Sequence, residues 1–246
     1  YMATHMVIEN CKEGDLRTAA TLIQNDMQEQ SNKSLARATM VARMPVVINS
    51  MRTQSREPLV DALVPMFLIL REKYGVREGQ FHLAPATSFL RIYDVKAGHG
   101  EDLSGFREMV LMANKNKLPY SGVEIGRRGL SIRGIDVITD GTDYFGSVEI
   151  GMDFGAIINN VKKNAGFEAG VFVDDKKMSE IATLIPKPDA ERIIGGYRNT
   201  ESTDWNMIRT VVTPDFLRSV TDVTTRQQTI GGVDYGFPQP AYEYSW

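Results

Sequence analysis

The sequence contains one cysteine, Cys11, and three histidines. A single cysteine cannot form an internal disulfide, so cysteine usage does not distinguish a reducing from an oxidising compartment. The histidines, His5, His82 and His99, show no metal-ligand spacing with a cysteine or with one another. The sequence therefore predicts no metal centre and no other cofactor.

Long apolar runs are also missing. No stretch approaches the roughly 18 apolar residues of a membrane-spanning helix, and no signal peptide is visible. Residues 1–6, which end in His5-Met6, are typical of a cloning remnant, and we expect that flanking membrane segments were removed. The formal charge of -3 offers no broad cationic surface, so nucleic acid is not an expected partner.

Catalytic patterns are absent as well. No serine stands in a Gly-x-Ser-x-Gly setting. The acidic pair Asp174-Asp175 is followed by Lys176-Lys177, which is more typical of a solvated turn than of an acid–base dyad. The glycines around Arg127 do not complete a dinucleotide-binding fingerprint. The sequence therefore indicates a protein that is not an enzyme.

Two helices are predicted in the N-terminal part of the chain. Apolar residues recur at spacings of three and four from Glu13 to about Met44, which indicates a long amphipathic helix. Its middle, residues 28–34, is polar all round, so no compact core is expected over every turn there. We expect a stalk that lies against other elements or against a partner helix, disturbed at Pro45.

The second helix is predicted from Glu57 to Tyr74. Pro58 suits its first turn, and Gly75 is a C-terminal stop. Pro65 predicts a kink or a break within it.

The segment between Gln80 and Phe154 predicts an α+β module with an antiparallel sheet. A helical stretch is expected at Leu103–Asn114, and Asp140-Gly141-Thr142-Asp143 indicates a hairpin. The predicted strands are Thr87–Asp94, Tyr120–Gly126, Leu130–Thr139 and Tyr144–Phe154.

A second α+β cycle follows Phe154. We expect a short helix to Lys163, a strand at Gly170–Asp174, strand-like sequence after Met207 and a hairpin at Gly231-Gly232. Helical turns are predicted at Lys177–Leu184 and Pro188–Ile194. The domain prediction is a stalk helix and connector at 7–56, one module at 57–154 and a second at 155–246, which we expect to lack its last strands.

The candidate binding residues centre on arginines within predicted strands. The two-residue period of a strand places Phe89, Arg91 and Tyr93 on one face. Arg133 shares a face with Ile135 and Val137 in the same way. A buried guanidinium needs an acceptor, and two converging ones suit a small organic anion. The alternative is that each arginine pairs with an internal acid, for which Glu124, Asp136 and Glu149 are available.

Three further residues complete the candidate set. His82 is a possible anion contact or pH-sensitive donor, although a structural role is the more common one for such a histidine. Glu124 and Arg127 belong to the glycine-containing segment Glu124–Gly129, which suits a ligand-cradling loop and equally an ordinary turn.

Several blocks of sequence, taken in order, resemble a known family. They are residues 81–91, 100–107, 122–127, Ile132-Arg133-Gly134 and 146–149 in the first half, and 179–183, 195–199, 212–215 and 232–236 in the second. Together they are similar to the double Cache sensor domains, of Cache_3–Cache_2 type, of methyl-accepting chemotaxis proteins and sensor kinases.

The resemblance implies two PAS-like Cache modules, a membrane-distal one that binds ligand and a membrane-proximal one. It further implies the periplasmic part of an inner-membrane receptor, a homodimer through the long helix, and a cytoplasmic output domain. A chemoreceptor is expected first; a histidine kinase, a diguanylate cyclase or a secreted binding protein are alternatives. Arg91 and Arg133 match by pattern two arginines of citrate and dicarboxylate sensors. Tyr93-Asp94 stands where those sensors carry a histidine, so an anion is implied rather than citrate or a C4-dicarboxylate.

Overall fold

The structure is a computed structural model that describes residues 8–9, 13–219, 226–230 and 233–237, with side chains from Thr18 to Ser219. The expected cloning remnant at residues 1–6, Cys11 and the turn Gly231-Gly232 lie outside the described residues. Contacts divide the chain into two compact units. We call Glu29–Gly126 with Leu130–Asp153 the sheet unit, and Tyr1–Gln28, Arg127–Gly129 and Phe154–Trp246 the C-terminal unit.

Both units mix helices with antiparallel strands, which confirms the predicted α+β class. None of the described helices combines the length and the apolar composition needed to cross a bilayer. The first part of the chain forms β1 Ile8–Glu9, α1 Glu13–Ala42, α2 Pro45–Thr53, α3 Glu57–Tyr74, β2 Val76–Leu83, β3 Thr87–Arg91, α4 Glu108–Asn116, β4 Tyr120–Gly126, β5 Gly129–Asp140 and β6 Asp143–Met152.

The long helix is confirmed, but its polar middle is not uncovered. Ser31 and Ser34 are buried, and Ser34 Oγ lies 3.5 Å from the carbonyl oxygen of Ile132. A Cβ on Gly134 would overlap the backbone of Ser34 and Leu35. Small side chains on both elements therefore let the helix backbone approach the strand directly, which is why the expectation of an uncovered middle is wrong.

Two predicted helix breaks at proline do not occur as expected, at Pro45 and at Pro65. Pro45 begins α2 instead of ending the helical region, because a missing N–H costs nothing in a first turn. The second helix has the predicted bounds, and Gly75 ends it at φ 67°. Pro65 lies inside it and is exposed, so the carbonyl that its ring leaves unpaired can be hydrated, and the predicted break does not occur.

The sheet unit contains five strands in the order β3-β2-β6-β5-β4. β4 has the predicted bounds, and Asp140 pairs with Asp143 across the predicted hairpin. The predicted helix at Leu103–Asn114 is confirmed only from Glu108 onward. The strand β2 lies beside β3 and β6 and was not predicted.

One face of this sheet is apolar and packs on the helices. Phe81, Val148 and Ile150 line a small internal space there with Leu63 and Phe67 of α3. The opposite face has two parts. Towards α4, Ile135 packs in an apolar cluster with Met109 and other residues of that helix and its preceding turn. The other part is polar and carries the candidate site.

The C-terminal unit has its own core around Phe172 and Trp205, whose ring centroids are 6.3 Å apart. Asp204 caps the N–H of Met207 and starts a helix, so the strand-like sequence expected after Met207 begins only at Arg226. Its elements are α5 Gly155–Ala165, β7 Gly170–Asp174, α6 Asp175–Ile181, a 3-10 turn Ala190–Arg192, β8 Ile193–Ile194, β9 Tyr197–Ser202, α7 Trp205–Val211, α8 Pro214–Arg218, β10 Arg226–Ile230 and β11 Val233–Phe237.

Candidate functional site

A polar face is buried inside the sheet unit. Strand register brings Gln80, Arg91 and Glu149 onto this face, because Gln80 pairs with Arg91 on one side and with Glu149 on the other. Glu149 in turn pairs with Ile135, two residues from Arg133 on β5. Alternate residues of four neighbouring strands thus project polar groups into one layer. We call this set, with the residues that contact it, the charged cluster; it contains Glu78, Gln80, His82, Arg91, Tyr93, Glu101, Arg107, Glu124, Ser131, Arg133, Ser147 and Glu149.

Arg133 is held by Glu78 in a two-pronged ion pair. Its Nη1 donates to Glu78 Oε2 at 3.0 Å and its Nη2 to Glu78 Oε1 at 3.1 Å, while Ser131 Oγ donates to the same Oε1 at 2.6 Å. A Cβ on Gly126 would overlap the Arg133 guanidinium, so a glycine provides its space. Both charged side chains are fully buried, and their planar match satisfies most of their hydrogen-bonding capacity.

Glu149 joins two arginines. It accepts from Arg133 Nη1 at 2.9 Å and from Arg107, whose Nε also donates to Glu124 at 2.7 Å. Burial alone would raise the pKa of Glu149, but the guanidiniums of Arg107 and Arg133 outweigh it and hold that pKa at about 2. Glu124 also accepts the N–H of Met109 at 2.9 Å, which ties the first turn of α4 to the cluster.

His82 is neutral in this setting. It is fully buried, and its Nδ1 lies 3.2 Å from Ser147 Oγ. Burial lowers its pKa to about 3, a decrease that the Glu149 carboxylate opposes and the neighbouring guanidiniums reinforce. Its Nε2 is 4.0 Å from Glu149 Oε1 and has no hydrogen-bond partner within the described part of the chain.

Arg91 differs from the other two arginines. Its side chain is 4% exposed and forms an ion pair with Glu101, whose side chain is 26% exposed. Its guanidinium lies against Gly98, where a Cβ would overlap it. Its Nε has no hydrogen-bond partner among the described residues. Arg91 is thus a buried cation whose carboxylate partner reaches solvent and which keeps one donor unused.

Tyr93 connects this end of the cluster with the protein surface. It lines a groove of about 300 Å³ between α3 and the segment after β3, together with Arg71, Asp94 and Lys96. Burial raises the pKa of Tyr93, and the nearby Glu78 carboxylate raises it further. The groove therefore reaches the cluster at Tyr93 and has two cations among its lining residues.

The structure brings together five of the seven predicted site residues. Arg91, Tyr93, His82, Glu124 and Arg133 all belong to the charged cluster, and the predicted shared face of Arg133, Ile135 and Val137 is confirmed by the register. Arg133 follows the alternative that the sequence left open, in which the arginine pairs with acids inside the protein. Asp136, one of the acids considered for that pairing, instead contacts Arg43 at 3.4 Å.

Phe89 and Arg127 lie elsewhere. The register between β2 and β3 shifts at Phe81/His82, so Ser88 pairs with His82 and its hydroxyl contacts Gln80 at 2.8 Å. The predicted shared face of Phe89 and Arg91 is therefore wrong, and the Phe89 ring lies 4.9 Å from the guanidinium carbon of Arg56. Arg127 belongs to the C-terminal unit and donates to the carbonyl of Ile181 at 3.0 Å.

Sequence reasoning missed Glu78, Gln80, Glu101 and Arg107. The first two belong to the unpredicted strand β2, where polar residues alternate as they would on a solvated face. Arg107 precedes α4 and carries no local signal. Within the described residues, no group of three or more His, Cys, Asp or Glu side chains is placed to hold a metal ion.

Comparison with known proteins places these observations in a family. Residues 13–237 match the family model of the double sensory domain of two-component sensor kinases, dCache_3. No curated protein sequence matches the chain.

Solved structures with a similar fold are sensory domains. The ligand-binding domain of the Campylobacter jejuni chemoreceptor Tlp3, in complex with 4-methylisoleucine, has 10% identity and a TM-score of 0.53, over 92% of this chain and 87% of that one. A domain of a sensory box/GGDEF family protein from Vibrio parahaemolyticus has 14% identity and a TM-score of 0.51, over 93% and 94%. The extracellular domain of the histidine kinase vpHK1S-Z8 has 14% identity and a TM-score of 0.50, over 90% and 91%.

Proposed function

The chain belongs to the dCache_3 family of double sensory domains, and we propose that it binds a small, carboxylate-bearing ligand in its sheet unit for a transmembrane receptor. Double Cache domains are the extracytoplasmic sensor domains of membrane receptors. The finer proposal is a periplasmic domain of an inner-membrane protein, with the sheet unit as the membrane-distal module.

One observation carries the ligand proposal, namely the state of Arg91. A buried guanidinium demands an acceptor, and among the described residues this one has one partly exposed carboxylate partner and an Nε donor without a hydrogen bond. Arg133 and Arg107 are satisfied by fully or nearly fully buried glutamates, so we assign them to holding the cluster in shape. Tyr93 and the groove supply an approach for an anion, because the cations Arg71 and Lys96 outnumber the one carboxylate among the lining residues, Asp94.

The family and the fold support sensing more directly than they support any particular output. We propose a chemoreceptor, the class of the Tlp3 domain. A sensor kinase is the second candidate, and the family description favours it. The native gene downstream of Trp246 distinguishes the two, because a chemoreceptor encodes a methyl-accepting signalling domain there and a kinase encodes a catalytic domain.

We further propose that the receptor is a homodimer through α1. Exposed side chains recur along this helix every three or four residues and are small or polar apart from one methionine; they are Thr18, Thr21, Asn25, Gln28, Asn32, Ala36 and Met40. Such a stripe suits a weak contact that membrane anchoring reinforces through its effective concentration.

A thermal-shift screen of small carboxylates and amino acids tests the binding site. A compound at 100 times its Kd stabilises the folded state by about 2.7 kcal/mol, or roughly 5–10 °C for a chain of this size. We expect a compound that shifts the wild type and the control Arg52→Met but not Arg91→Met. Arg52 suits the control because its ion pair with Asp140 is exposed. A shift of equal size in Arg91→Met would place the ligand elsewhere.

A further inference from the structure

We infer that residues 94–99 form a gate over Arg91, so that the candidate ligand site is closed in this structure and opens when this segment moves. The inference rests on the proposed function, since it concerns access to the same arginine. Three observations support it: the position of Gly98 against the guanidinium, the weak attachment of residues 94–99, and the groove beside them. We call residues 94–99 the gate segment.

Gly98 lies against the Nε side of the Arg91 guanidinium. A Cβ added to Gly98 would overlap Nη1 and Cζ and would lie 2.7 Å from Nε, the buried donor that has no hydrogen bond among the described residues. The remaining nitrogen, Nη2, donates to Glu101. An acceptor on Nε therefore needs the space that Gly98 occupies, and a ligand reaches this donor only after the gate segment has moved.

The gate segment is anchored at both ends and held weakly between them. Before it, the N–H of Ile92 donates to the carbonyl of Gly79; after it, the N–H of Gly100 donates to that of Ser88, each at 2.8 Å. Between these anchors, the backbone hydrogen bonds of the segment, in the described part of the chain, stay within residues 91–101. None of its six residues is buried. The segment can therefore open locally without unpairing β3 from β2.

The groove of about 300 Å³ gives the gate segment room to move. Val95 and Lys96 of the segment line this groove opposite Leu68 and Arg71 of α3. Space that holds no protein atoms offers no close packing to resist a shift of the segment. Tyr93 of the charged cluster lines the same groove, so an opened gate would connect the groove with Arg91.

Two glycines provide a matched pair of variants. Gly98 and Gly100 have φ angles of 75° and 76°, so alanine meets similar backbone strain at either position. Only at Gly98 does a Cβ meet the guanidinium of Arg91; at Gly100 it meets nothing within 4 Å. Because the Arg91 side chain is only 4% exposed and is enclosed by the cluster, we expect the gate segment to give way. Gly98→Ala should thus hold the gate open, with Gly100→Ala as its control.

Modification by phenylglyoxal, a dicarbonyl reagent that attacks the arginine side chains it can reach, tests the gate without a ligand. In the folded wild type, we expect Arg91 to react at least about tenfold faster than Arg133, since opening of the gate exposes only Arg91. Gly98→Ala should raise the Arg91 rate by at least about tenfold more, and Gly100→Ala should leave it within about twofold of the wild type. Mass spectrometry of proteolytic peptides gives each rate, and the exposed Arg52 calibrates the reagent.

Arg133, whose side chain is fully buried, reports on unfolding in the same sample. A rise confined to Arg91 supports the gate, whereas equal Arg91 rates in Gly98→Ala and Gly100→Ala would overturn it. If Gly98→Ala unfolds, Arg133 reacts as well, and the wild type decides alone: an Arg91 no faster than Arg133 there also overturns the gate. The proposed function fails separately, namely when a compound found in the screen stabilises Arg91→Met as much as the wild type.

Discussion

Both terminal nitrogens of Arg133 donate hydrogen bonds to the carboxylate of Glu78, and neither side chain is more than 1% exposed. Removal of either partner leaves the other as an uncompensated buried charge. We expect Arg133→Met to lower the free energy of unfolding by about 3–5 kcal/mol in urea titrations. The matched control is Arg52→Met, whose exposed pair contributes at most about 1 kcal/mol.

A double variant of the same pair separates the effect of the buried charges on stability from the effect of packing. Arg133→Met/Glu78→Gln removes both charges and should recover part of the stability that Arg133→Met loses. A double variant no more stable than the single one would show that hydrogen bonding to Ser131 or Glu149, rather than the uncompensated charge, dominates.

His82 predicts an acid-sensitive stability. Its pKa is about 3 in the folded state and about 6.5 in the unfolded chain, so the unfolded state binds more protons between these values. The resulting stabilisation is complete above pH 6.5 and is lost as the pH falls towards 3, at up to about 1.4 kcal/mol per pH unit. Urea titrations of His82→Asn between pH 6.5 and 4.5 should show a shallower slope than those of the wild type.

The pH range over which stability is lost distinguishes the contribution of His82 from that of Glu149. The pKa of Glu149 is held at about 2, so its own contribution is lost only as the pH falls from about 4.5 through 2. The exposed His99 provides the control, because His99→Asn removes an imidazole that is not buried. Parallel slopes for His82→Asn and the wild type would contradict a neutral buried His82.

The close approach of α1 at Gly134 predicts that no larger residue fits at this position. A Cβ at this position overlaps the α1 backbone at Ser34 and Leu35, which cannot move aside as a flexible side chain could. We expect Gly134→Ala to cost about 1–3 kcal/mol or more in the free energy of unfolding. Gly105→Ala, where a Cβ meets nothing within 4 Å, should change it little. Equal stability of the two variants would refute the close approach of α1.

The proposed dimer predicts a pattern of disulfide crosslinks in the membrane-embedded full-length receptor. In a Cys11→Ser background, Ala36→Cys on the exposed side of α1 should form crosslinked dimers under mild oxidation. Ala38→Cys, at a fully buried position of the same helix, should not. Gel electrophoresis without reductant gives the readout, and a dimer yield independent of position would reject the α1 interface.

Local signals predicted most of the elements that depend on local chemistry. The strand Tyr120–Gly126, the helix Glu57–Tyr74 and the hairpin at Asp140–Asp143 followed from residue period, a glycine stop and turn composition. The order of helices and strands also predicted the α+β class. These features need no information about distant residues.

The candidate site was only partly predictable because it depends on tertiary burial. In β2 the residues Glu78, Gln80 and His82 alternate like a solvent-facing set, yet each is at most 2% exposed. The partners that make this possible, such as Arg107, come from distant segments and have no spacing signal. The predicted face of Phe89 was wrong for a similar reason. The register shift between β2 and β3 depends on how the strands pair and cannot be seen in the sequence of β3 alone.

The contact between Ser34 and Gly134 has a mechanical consequence. Because Gly134 has no side chain, the backbones of α1 and β5 meet directly at this crossing, without a flexible side chain that could absorb their relative displacement. A change in strand position on the polar face is then passed to the helix as a rigid translation or tilt. The interface works as a stiff linkage, and a signal that begins at Arg91 would leave this unit as movement of the helix axis.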